Sequence, residues 1–229
     1  MFAMELIMSK YDLDSIFKSI DSFGKKLELL PTKLSDVWSQ AVQLGWYPTP
    51  YMPGKLSSTS LSSQQTLDSR MLKAFEKRYV EEKQYVLAQA GNREHILSVA
   101  LQLHEQENYI ASIPLLLSQS DGVFENYLGL SAFARREDKL RKIETKLSDV
   151  FDSNSIAKAY FGQFSSPSQF SENSNCFEQI DKAKAPNRNG ILHGDSKHLD
   201  YGSYINSCKS ICFLSSVLWL AEQYREKQT

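Results

Sequence analysis

Residues 188–194 read RNGILHG, which brings an arginine, an asparagine and a histidine into about one and a half helical turns. Arg188 and His193 are five residues apart, so on a helix their directions differ by about 140°. They are not same-face neighbours, yet both can edge one cleft at a helix start if Gly190 and Gly194 loosen the turn. Free backbone N–H groups at such a start favour an anion, and a guanidinium forks onto phosphate. Asn189 and Asp195 add hydrogen-bonding capacity beside them. A phosphate held next to an imidazole is what ribonucleolytic transesterification needs. One group takes the proton from a ribose 2′-OH, a cation steadies charge building on phosphorus, and a proton returns to the 5′ leaving oxygen. Histidine titrates in the right range for both proton transfers. The plainer reading of the same heptapeptide is the polar, capped start of a buried helix, and the Arg-to-His spacing alone does not separate the two.

The elements that must position these residues are helical throughout, because apolar residues recur at helical rather than alternating spacing. Helices are expected at about 12–22, 33–44 (begun by PTKLSD and ended near Gly45), 64–88, 92–107, 109–130, 136–149 and 155–163. Pro114 is expected to kink the fifth of these or to mark its true start. A last helix, about 202–226, has Tyr204, Ile205, Cys208, Ile211, Cys212, Ser215, Leu218 and Trp219 on its inner stripe. From 211 to 221 it is apolar nearly all round and should be the most buried element. The run GWYPTPYMPGK and the SSTSLSS that follows read as an elbow and a joint, and SSPSQFSENSN, 165–175, as a polar loop. These features predict an all-α antiparallel helical bundle over 61–229 with an N-terminal helical appendage at 1–60.

Other constellations are weaker. Asp121 and Glu125 are i,i+4 partners that share a helix face with Ser118 and are candidate supports for the heptapeptide, pairing with Arg188 or His193. Gly122 between them is costly in a helix, by about 1 kcal/mol against alanine, and hints at close packing. Lys182, Lys184, Lys197, His198 and Lys209 lie near the motif in sequence; Lys184, Lys197 and His198 are the candidate RNA- or phosphate-binding residues among them. The run RREDKLRKIETK alternates in sign and reads as a solvated helix with internal ion pairs. His95 and His104 stand on helices without chemical company, and Trp38, Trp46, Tyr47 and Tyr51 around the proline-rich elbow read as packing aromatics.

Composition bounds the partners. At 229 residues, 41% hydrophobic and 23% charged, the chain can bury a real core as an ordinary globular protein. A net charge of −1 supplies no global field for nucleic acid, so polyanion binding needs a local patch. Three cysteines with neither CxxC pairing nor a disulfide framework, and four scattered histidines, offer no metal-ligand set, and no metal or cofactor is expected. The apolar run 211–221 is too short to span a bilayer and the N-terminus is a poor signal peptide, so a cytoplasmic protein without membrane partners is expected.

Arg188-Asn189-Gly190-Ile191-Leu192-His193 resembles the R-N-x-x-x-H signature of HEPN domains (higher eukaryotes and prokaryotes nucleotide-binding). The polar residue after the arginine, Gly194 after the histidine and the long apolar C-terminal helix that follows all agree with it. The likeness is specific over about 186–220 and architectural over about 64–185, with residues 1–60 outside it. It implies a metal-independent endoribonuclease working as a homodimer, in which two motifs face each other and make one composite cleft. His193 is then the acid/base residue, Arg188 the phosphate clamp and Asn189 the group that orients the histidine or a phosphate oxygen. The resemblance also implies a phage-defence or toxin effector governed by an antitoxin or activator protein. The alternatives are a non-catalytic HEPN-like module that binds a nucleotide or RNA, or mediates assembly, and a helical adaptor whose heptapeptide is only a capped turn.

Overall fold

The computed structural model describes residues 22, 30–52, 56, 61–133, 137–151, 156–165, 168, 170–171 and 185–226. Among the described residues eight α-helices form a bundle and no strand occurs. They are α1 (Leu30–Gln43), α2 (Gln64–Gln89), α3 (Glu94–Glu105), α4 (Tyr109–Leu128), α5 (Glu137–Val150), α6 (Ile156–Phe161), α7 (Arg188–Leu192) and α8 (Tyr204–Glu226), with 3-10 turns at Gly91–Arg93, Gly162–Ser165 and Ser196–His198. The helix expected at 12–22, apart from residue 22, and residues 57–60 of the SSTSLSS joint lie outside the described residues.

Local chemistry explains the helix ends. Ser63 caps α2 by accepting from the Thr66 amide at 3.1 Å. Gly45, in the left-handed region at φ +87°, ends α1, with Trp46 N–H donating back to the Ala41 carbonyl and Gly45 N–H to that of Val42. The same closure ends α3, but there the left-handed residue is Glu107 at φ +60°. Helix α4 runs through Pro114 without a break, so the expected helix start there is not found. Proline has no N–H for the Ile110 carbonyl four residues back, and the Tyr201 hydroxyl donates to that carbonyl instead, at 2.9 Å.

Helix α8 is the central element. It is buried without interruption from Asn206 to Leu218, and it packs chiefly on α4 and then on α2. Several of its polar residues are paired inside the core, while Asn206 Oδ1 and the Ser216 hydroxyl are buried without a hydrogen-bond partner. The ammonium of Lys209, fully buried, lies 3.1 Å from Asp68, over the Trp46 ring, and desolvation pushes its pKa down against the pull of Asp68. Trp46 Nε1 donates to the same carboxylate at 2.7 Å. Ser215 donates to the buried Glu82 at 2.7 Å, and the Thr49 hydroxyl donates to its other oxygen. Burial holds the Glu82 carboxyl above its ordinary range.

Trp38, Ala41, Val42, Trp46, Tyr47 and Met52 belong to the same hydrophobic cluster as α2, α4 and α8, so over its described residues the segment expected as an appendage is part of the body. Tyr47 stacks on Phe164 and meets Phe213 edge-on, which is packing of the kind expected for the elbow aromatics. Lys209, near the motif in sequence, is interior. Among the described residues no helix is long and apolar enough to cross a membrane, and no cluster of potential metal ligands occurs.

Two consequences are measurable. Asp68→Ala strands the buried Lys209 ammonium and destabilises the fold by about 3–5 kcal/mol. Adding Lys209→Met recovers part of that loss in urea denaturation; no recovery means the pair is not coupled. His104 is buried against Phe75, Tyr79, Tyr109 and Tyr204, with Nδ1 2.7 Å from the Ser207 hydroxyl. Desolvation lowers its pKa from 6.5 to about 4, against a small opposing pull from Glu105. The unfolded chain therefore binds this proton first, so the stability contributed by neutral His104 is complete above about pH 6.5 and is lost as pH falls toward 4. Melting temperatures of the wild type drop over that window by more than those of His104→Gln, and parallel profiles remove the assignment.

Candidate active site

The heptapeptide folds as one closed helical turn. Asn187, buried, caps α7 by accepting from the Gly190 amide through Oδ1 at 2.7 Å. At the other end His193 N–H donates to the Asn189 carbonyl at 3.0 Å, and Asp195 N–H reaches back to the Gly190 carbonyl at 2.8 Å across Gly194, which is left-handed at φ +65°. Asp195 then caps the next 3-10 turn by accepting from the Lys197 amide, and that turn delivers His198 into the interior. The His198 ring lies against Gly190, where a Cβ would stand 2.2 Å from its Cδ2. Gly190 is therefore a contact glycine, not a hinge.

Arg188 leaves the opposite end of α7 from His193. Its Nη2 donates to Asp121 Oδ2 at 3.1 Å and its Nη1 to Asn189 Oδ1 at 3.0 Å, while the guanidinium lies 5.4 Å from the Phe133 ring centre. Asp121 is itself fixed, because its Oδ1 accepts from the Ser131 hydroxyl at 2.7 Å and the Ala132 amide at 2.9 Å. The Arg188 Nε is buried without a hydrogen-bond partner. The arginine side chain keeps 26% of its surface exposed, so it is held from behind with part of its face open. His193 is exposed.

The structure thus joins Asp121 to Arg188 and Arg188 to Asn189. It does not bring every candidate to that point. Glu125 is exposed on the outer face of α4, one turn beyond Asp121, while the Asp121 carboxylate makes the contact to the motif. Lys197 is exposed, but His198 is 4% exposed and packs under Gly190, where its contacts are those of a core side chain. Lys209 is inside the core with Asp68, and Lys182 and Lys184 lie outside the described residues. Sequence reasoning missed Phe133, Ser131 and the Phe170 carbonyl that accepts from Arg188 N–H. None of these carries a periodic or motif signal. Asn187 does carry one: an asparagine directly before a helical run is an N-cap signature.

Chemically, the arrangement offers a fixed cation with a partly open face and, about one turn away, an exposed imidazole. The support under that turn is testable. Gly190→Ala overpacks against His198 and lowers stability by about 1–3 kcal/mol. In the His198→Ala background the same change costs at least about 1 kcal/mol less, because the clash is gone. Additive losses in urea denaturation exclude the contact. Comparison of the chain with family models, with curated proteins and with solved structures finds no match in any of the three.

Proposed function

We propose that the chain is a metal-independent endoribonuclease of the HEPN type, with Arg188, Asn189 and His193 as its functional set and two copies combining their motifs in one cleft. The observation that carries the reading is the disposition of the two motif side chains. The Arg188 guanidinium is pinned from behind by Asp121 and Asn189, and His193 stands exposed at the other end of the same turn. A cation fixed before substrate arrives stabilises charge on phosphorus without reorganising, which is where such groups contribute most. An exposed imidazole can reach a ribose hydroxyl.

In this reading a histidine accepts the 2′-OH proton as that oxygen bonds to phosphorus. The bond from phosphorus to the 5′ oxygen breaks, a proton is returned to that leaving oxygen, and a 2′,3′-cyclic phosphate and a 5′-hydroxyl result. One chain offers one motif histidine for two proton transfers, and a second copy supplies the other. The family resemblance further places such a protein among defence or toxin effectors, governed by an inhibitor or activator.

The experiment is cleavage of mixed RNA by purified protein in EDTA. Wild type is expected to cleave, and His193→Ala and Arg188→Ala each to lose at least about 100-fold in rate. Mixing the two inactive variants does not restore activity, because a mixed dimer carries one motif histidine where the composite cleft uses two. Equal cleavage by wild type and both variants identifies a contaminant and removes the reading. RNA bound but not cleaved assigns the chain to the binding-module alternative.

A further inference from the structure

We propose that Arg93 is a second phosphate contact, on the RNA path that passes Arg188 and His193; the proposal rests on the nuclease reading above. Arg93 ends the 3-10 turn before α3, and its guanidinium lies flat on α4 at Gly122. A Cβ at Gly122 would stand 2.9 Å from both Nη1 and Nη2 and 3.1 Å from Cζ. This is the close packing that a glycine inside a helix implies. The Nη1 group donates to Gln119 Oε1 at 2.8 Å. The Asn126 amide, turned so that its nitrogen donates to the Gly122 carbonyl, accepts from Nη2 at 3.1 Å.

Three features set this arginine apart. Its hydrogen-bond partners are neutral amides, so its positive charge is oriented without being cancelled, whereas Arg78, Arg141, Arg188, Lys83 and Lys209 each face a carboxylate and Arg225, which also donates to an amide, is exposed. Arginine has five N–H donors, and amides take two of Arg93's, which leaves donors for an anion. The side chain is half-buried, so it holds its place yet reaches solvent.

Placement links it to the motif. Arg188 is tied to Asp121 and Arg93 rests on Gly122, consecutive residues of α4 that differ by 100° around its axis. Gly122, Ser118 and Glu125 lie on the strip of α4 between them, opposite the buried stripe Leu116, Leu117, Val123 and Phe124. Two guanidiniums therefore border one outer strip of the helix at a separation on the order of 10 Å. That is within the span of a short single strand, whose backbone phosphates are tracked by such pairs of cations. The exposed Glu125 carboxylate works against an anion on this strip. The substrate class that follows is a strand with at least two phosphates, rather than a free nucleotide.

The test uses full-length protein carrying His193→Ala, so that RNA is bound but not consumed. Fluorescence anisotropy measures the affinity of a labelled single-stranded RNA decamer and of a labelled dinucleoside monophosphate across a salt series. Arg93→Gln is expected to weaken the decamer by about 5–20-fold, to reduce the slope of log affinity against log salt by about one, and to leave the dinucleotide unchanged. Arg93→Lys keeps the slope while losing affinity through its missing fork, and Glu125→Gln tightens the decamer. Thermal melting confirms that each variant is folded, and if Arg93→Gln is not, Arg93→Lys and Glu125→Gln carry the test. Decamer affinity and slope indifferent to these changes overturn the Arg93 proposal while the nuclease reading stands. A parent protein that binds neither RNA removes that reading, and Arg93 with it.

Discussion

The structure depends on the enclosure of α8. A helix buried from Asn206 to Leu218 has no solvent face along that length, so its charged and polar groups depend on partners in the elements around it. Lys209 fixes α2 through Asp68, Ser215 fixes it again through Glu82, and Ser207 fixes the end of α3 through His104. An apolar helix of this kind tolerates rotation and sliding with modest loss. One with an ammonium and several hydroxyls inside does not, because each misplaced group costs about 1–3 kcal/mol. The buried polar contacts thereby select one register for α2, α3 and α8 together, and Trp46 and Thr49 bring the proline-rich elbow into the same arrangement.

That register is passed to the candidate site through α4, the principal neighbour of α8. The chain from the motif to α8 is attached to α4 at two places. Asp121 holds Arg188 at the start of the segment, and the Ile110 carbonyl, left vacant by Pro114, accepts from Tyr201 near its end. The two attachment residues are separated by about 16 Å along the helix. A segment tied to one rigid rod at both ends cannot rotate, which is how a turn as short as α7 presents its side chains in one direction. The proline that reads in sequence as a break in α4 is the reason one of these attachments exists.

The sequence made the helices legible because their apolar residues recur at helical spacing, and α8 stood out because between 211 and 221 that stripe widens to the whole circumference. It also pointed to Asp121, since helical spacing restricts what a carboxylate on α4 can face. The placement of Lys209 was not legible. A lysine one residue from Ser210 and Cys208 looks like surface, and only the arrival of Asp68 from a helix far away in sequence makes its burial affordable. His198 misled in the same way: a histidine beside a lysine in a polar stretch reads as surface, but the cap at Asp195 turns it inward. Contacts made by residues distant in sequence, such as Phe133 beneath Arg188, leave no local pattern to read.

A capped helix start and a reactive site looked like rival readings of RNGILHG, and the geometry lets them be divided residue by residue. The cap is made by Asn187, the close packing by Gly190 and Ile191, and the exit by Gly194. His193 serves that turn only through its backbone N–H, which any residue but proline supplies, so the helix makes no demand on an imidazole. Arg188 does carry a structural contact, but an interior designed for stability alone gains little from a guanidinium whose Nε is buried without a partner and whose face is left partly in solvent. Local structure therefore accounts for the glycines and, through Asp121, Asn189 and Phe133, for much of Arg188, and it makes no use of the His193 side chain.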